Sequence, residues 1–79
     1  MTIVMRDGRV FHGTAVEIAK AMQDLAFGVE QMTLDGYIDW VVDTARRFDG
    51  VELEVAGDTT EERATALVEE MVAKGLATP

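Results

Sequence analysis

The sequence predicts a two-layer α+β domain in which a three-stranded sheet carries three helices on one face. Three observations carry that expectation: apolar or alternating runs about an Asp-Gly pair and at residues 51–55, three stretches with apolar spacing near 3.6, and glycines at the boundaries between them. The order read along the chain is ββααβα, in one domain spanning residues 1–79. A chain of 79 residues buries only about 60% of the surface its unfolded form exposes, so it has material for one core. Apolar residues at 48%, charged residues at 28% and a single proline suit a folded chain rather than a disordered one.

Asp7-Gly8 lies between Ile3-Val4-Met5 and Val10-Phe11 and suits a two-residue hairpin turn, so strands are expected at about 2–6 and 9–12. That turn sets Met5 opposite Val10, Val4 opposite Phe11 and Ile3 opposite His12. Ile3, Met5, Val10 and His12 then share one face, and Val4 and Phe11 the other.

Thr14 with Glu17 three residues on is a capping box, and a helix is expected from Ala15, with Ile18, Met22 and Leu25 on its apolar stripe and Gly28 as a left-handed end. Thr33 caps a second helix, with Met32 before the cap able to close on Tyr37. Leu34, Tyr37, Ile38, Val41, Val42, Ala45 and Phe48 form its inward face, and Asp35, Asp39 and Asp43 lie on the opposite side. Gly36 sits in its first turn without an evident reason.

Asp49-Gly50 ends that helix, and Val51-Glu52-Leu53-Glu54-Val55 alternates as a strand buried on one face should. A third helix follows overlapping caps at Asp58 and Thr59, turns Ala64, Leu67, Val68 and Met71 inward, and stops in a Schellman ending at Gly75-Leu76. The expected sheet order is 2-1-3, with the third strand parallel to the first.

Composition narrows the chemistry. With neither cysteine nor serine nor asparagine, disulfides, thiolate metal sites, serine and cysteine nucleophiles and the Cys-His-Asn arrangement are all excluded. A net charge of −8 repels phosphate backbones and anionic lipid, so neither nucleic acid nor a membrane is an expected partner. The first thirteen residues, with Arg6 and Arg9 against Asp7, are locally basic at +1. No window reaches the roughly 18 apolar residues of a membrane span, and a cytoplasmic location is expected.

Asp35, Asp39 and Asp43, spaced i, i+4 and i+8, could line a divalent-cation site, but Arg46 and Arg47 follow one turn later as ion-pair partners. His12 stands alone at a strand end, and Glu52 and Glu54 point outward from a strand with no cleft implied. A small metal-assisted hydrolase or acid-base enzyme using these aspartates or His12 is therefore an alternative, as is an acidic antitoxin-like partner of a basic protein.

Trp40 widens the apolar face of the second helix beyond the needs of a small sheet. It either fills the core against the first helix or joins Met32, Tyr37 and Phe27 in an exposed aromatic and methionine patch. Val4 and Phe11, left on the uncovered face of the sheet, form a second candidate surface. The leading expectation is a non-enzymatic interaction or regulatory module without a cofactor. It would act as a homodimer or dock on a larger protein, and its candidate contact residues are Trp40, Tyr37, Met32, Phe27, Val4 and Phe11.

The run Phe11-His12-Gly13-Thr14-Ala15-Val16-Glu17-Ile18, with Met22 after it, resembles a segment of small bacterial proteins that carry an F-x-G-T-x-x-E-I-x-x-x-M pattern. The resemblance spans about a dozen positions. It implies a bacterial origin and no activity, cofactor or catalytic residue.

Overall fold

A computed structural model describes all 79 residues. Strand β1 (Thr2–Met5) and strand β2 (Val10–His12) form an antiparallel hairpin, followed by helices α1 (Ala15–Leu25), α2 (Leu34–Thr44) and α3 (Thr60–Ala73) and a two-residue strand β3 (Ala77–Thr78). The α+β class, with three strands and three helices, is as the sequence predicts. The placement of the third strand is not.

The hairpin turn is one residue longer than expected. Gly8 N–H donates to the Met5 carbonyl at 3.0 Å and Met5 N–H to the Arg9 carbonyl at 2.8 Å, so Arg6, Asp7 and Gly8 form a three-residue loop. Gly8 takes φ +92°, the left-handed conformation that this loop needs. The pairs are consequently Thr2 with His12, Ile3 with Phe11 and Val4 with Val10. A one-residue shift exchanges the two faces of a strand. Phe11, expected on the uncovered face, is thus 8% exposed in the core beside Ile3, while Val10 and His12, expected inward, are exposed. Val4 does lie on the uncovered face, half-buried, between Val10 and Thr78.

The sheet order is β2-β1-β3, and β3 runs antiparallel to β1, pairing Val4 with Thr78 and Met5 with Ala77. The Schellman ending predicted at Gly75 is what delivers it there. Leu76 N–H donates to the Met71 carbonyl at 2.8 Å and Gly75 N–H to the Val72 carbonyl at 3.2 Å, turning the chain back toward β1. With both edges of β1 occupied, residues 51–55 stay outside the sheet. Their alternation survives: Leu53 is buried, Val51 and Val55 are half-buried, and Glu52 and Glu54 are exposed. A Glu70 side-chain oxygen accepts from Glu54 N–H at 2.8 Å and ties the segment to α3 in place of a strand partner.

The helix starts follow the caps. Thr14 and Glu17 exchange hydrogen bonds of 2.9 and 3.1 Å, Thr33 Oγ1 accepts from Gly36 N–H at 3.0 Å, and Thr59 Oγ1 accepts from Glu62 N–H at 3.1 Å. The structure also explains Gly36, where a Cβ would stand 3.2 Å from the capping Thr33 Oγ1. Past Thr44 the helix widens into a π-helical turn, Ala45–Asp49, closed by left-handed Gly50. That wider turn breaks the 3.6-residue register, and Phe48, expected inward, is exposed.

The core lies between the sheet and the helices, centred on Ile18, Ile38, Leu67 and Met71. Gln23 is its one buried polar residue. Its Nε2 donates to the carbonyls of Val29 at 2.9 Å and Met32 at 2.8 Å, which anchors the α1–α2 loop to α1. No helix is long and apolar enough to cross a membrane.

Candidate functional site

On α2, Tyr37, Trp40, Val41 and Thr44 follow the i, i+3, i+4, i+7 spacing that lines up one helical face. These four residues form one wall of a groove whose other walls come from the hairpin turn, α1 and the end of α3. Its larger part, about 340 Å³, adds Met5, Arg6, Asp7, Met22, Met71, Leu76 and, from the π turn, Ala45 and Asp49. A smaller continuation, about 180 Å³, runs past Met5, Met22 and Tyr37 to Phe11, Arg9, Leu25 and Ala26. Three methionines and three aromatic rings thus share one surface. Methionine adapts its shape, and its sulfur packs well against aromatic rings.

Tyr37 and Trp40 stack with ring centroids 5.8 Å apart at 23°. Tyr37 is 3% exposed and forms the floor, while Trp40 is 38% exposed and forms the rim. Trp40 therefore belongs neither wholly to the core nor wholly to a patch. Burial pushes the Tyr37 phenol up to about 12, so it remains a protonated hydrogen-bond donor at any ordinary pH. Phe27 is 99% exposed one residue beyond Ala26, and Met32, at 38%, stands at the far end of the same loop. Phe11, corrected into the core, lines the continuation from beneath.

Sequence reasoning missed Met5, Met22, Met71, Arg6 and Leu76 as groove residues. They come from four separate segments, and only the tertiary fold brings them together. The available signal was the count of five methionines in 79 residues.

The residues considered for metal or acid-base chemistry lie elsewhere, and the three aspartates of α2 are engaged in ion pairs. Arg63 binds Asp35 at 2.9 Å and also Asp39, and the Thr60 hydroxyl donates to Asp35 at 2.8 Å, which closes α2 against the start of α3. The Thr60 and Arg63 contacts hold the Asp35 carboxyl below the usual range, and Arg63 is held above its own. Asp43 pairs with Arg46 at 3.0 Å and Arg47 at 3.2 Å, as the spacing predicts. His12 is exposed opposite Thr2, not Ile3. No three carboxylate or imidazole side chains converge where they could hold a metal ion.

Comparison with protein-family models, with curated proteins and with solved structures returns no match for this chain. The Phe11–Met22 segment is a strand end leading into a capped helix.

Proposed function

We propose that the chain is a non-enzymatic interaction module of the cytoplasm, docking by apolar contact on a second copy of itself or on a larger protein. The observation that carries this reading is the methionine and aromatic groove with Trp40 at its rim, together with exposed Phe27 and Met32 on the α1–α2 loop, in a chain of net charge −8. Neither nucleic acid nor lipid is a partner in this reading, because the charge opposes both.

A second copy is the occupant to test first. A standard interface covers about 800 Å² per partner, a modest share of the 4928 Å² this chain exposes. Covering the groove would also add apolar burial to a domain whose own core is small.

Sedimentation equilibrium across micromolar to millimolar concentrations is the test. The expected result is a concentration-dependent rise to twice the chain mass, weakened about tenfold or more by Phe27→Ser with Trp40→Gln while far-ultraviolet circular dichroism stays native. A strictly monomeric chain up to about 1 mM, with Trp40 emission constant throughout, overturns self-docking.

A further inference from the structure

The geometry points to a small-molecule site within the larger part of the groove, for a ligand with an apolar body and a single carboxylate, where Arg6 and the Tyr37 hydroxyl stand as free donors over an apolar floor. This goes beyond the interaction reading and needs no protein partner.

Arg6 is the first observation. The chain has fifteen acidic side chains against seven basic ones, so carboxylates are in surplus. Arg9, Arg46, Arg47 and Arg63 each pair with one or two of them. Arg6 does not. Its Nε donates to the Gly75 carbonyl at 3.2 Å, which fixes the guanidinium beside the groove and leaves both terminal nitrogens without a partner in the protein. A guanidinium presented this way matches a carboxylate bidentately.

Tyr37 is the second. It is 97% buried by its 3% exposure, and its hydroxyl makes no hydrogen bond within the chain. No buried side-chain oxygen or nitrogen is sealed from solvent without a partner, so this hydroxyl keeps solvent contact, and Tyr37 lines both parts of the groove. A buried phenol ordinarily finds an acceptor. The Arg6 guanidinium can only donate and is cationic, and the Tyr37 hydroxyl is able to donate, so a group that accepts from both and carries negative charge complements them.

The remaining wall suits an apolar body. Trp40 offers a ring face, Met22 and Met71 adjust to the shape of what enters, and about 340 Å³ falls within the size usual for ligand pockets, about 300–1,000 Å³. Two acids also line the space. Asp7 is engaged by the Arg9 side chain at 3.4 Å and backbone N–H at 3.0 Å. Asp49 has no partner and opposes an anion, which makes it a diagnostic position.

The test is a titration of the full chain, at concentrations where it is monomeric, with octanoate, 1-octanol and octylammonium, read by Trp40 fluorescence and amide chemical shifts. Octanoate is expected to bind saturably and about tenfold more tightly than octanol, the difference expected for a charge-assisted hydrogen bond. Arg6→Gln removes that preference and leaves octanol unchanged, Tyr37→Phe weakens octanoate about threefold, and Asp49→Asn strengthens it. Equal binding of octanoate and octanol, tighter binding of octylammonium, an unchanged preference in Arg6→Gln, or no saturable response to octanoate below about 10 mM overturns the site. Because sedimentation reads self-docking and this titration reads the monomer, either proposal can fail without the other.

Discussion

The two flanks of α2 are built on opposite terms. On one, Asp35 and Asp39 meet Arg63 and Thr60 of α3, and every charged group there has a partner. On the other, Tyr37 and Trp40 face the groove, where the Arg6 terminal nitrogens, the Tyr37 hydroxyl and Asp49 have none. A flank whose polar groups are mutually satisfied can only hold two helices together. A flank that keeps apolar surface and free donors side by side has binding capacity left over, and this is why the functional reading rests there and not on the aspartate stripe.

Substitution on the open flank is the strongest way to break the contrast, because its floor is also core. Tyr37→Ala should cost about 3–5 kcal/mol in urea unfolding, a large share of a total stability of roughly 0.05–0.15 kcal/mol per residue, so the variant should unfold at a much lower urea concentration. A loss under about 1 kcal/mol would mean that the ring is not the shared support of groove and core.

The next largest effect is alkaline. The Tyr37 phenol has an ordinary value of 10.0 and is pushed up to about 12 by burial, so the folded chain holds a proton that the unfolded chain has already lost. The associated stability is complete below pH 10 and should decline by about 1.4 kcal/mol per pH unit between the unfolded and folded values. Urea melts from pH 9 to 12 on wild type and Tyr37→Phe check this, with the decline attributable to Tyr37 absent from the variant.

The smallest effect belongs to the closed flank. Arg63→Ala should cost about 1 kcal/mol, within the range for solvent-accessible ion pairs, and that cost should shrink in high salt. Asp35 titrates below its usual range, through the Thr60 hydroxyl first and Arg63 second. Its contribution is therefore present above the unfolded value and lost as pH falls through the folded one. Acid melts should show this loss in wild type and less of it in Arg63→Ala. A salt-independent loss much larger than that of Tyr37→Ala would reverse the comparison.

What the sequence made legible was local. The caps at Thr14, Thr33 and Thr59 and the Schellman turn at Gly75 each rest on contacts within six residues, and all appear as read. The hairpin register was ambiguous because Asp-Gly serves both a two-residue turn and a three-residue loop with glycine last, and the choice between them decided whether Phe11 or Val10 met the core. Residues 51–55 alternate because one side is buried. Alternation does not say whether backbone groups pair with a strand or, as at Glu54, with a side chain. Strand β3, at two residues, is too short to carry any period. The groove was half legible: Tyr37 and Trp40 lie three apart on one helix, whereas Met5, Met22, Met71 and Arg6 are brought to them by packing alone.

Gln23 ties the display of Phe27 and Met32 to the interior. Because its amide holds the carbonyls of Val29 and Met32, the path of that loop is set by a residue of α1 bonding to backbone atoms, whatever side chains the loop carries. Such an arrangement separates where the loop stands from what it is made of. Changing the side chains at 27, 31 or 32 leaves both of those hydrogen bonds in place, because each is accepted by a backbone carbonyl.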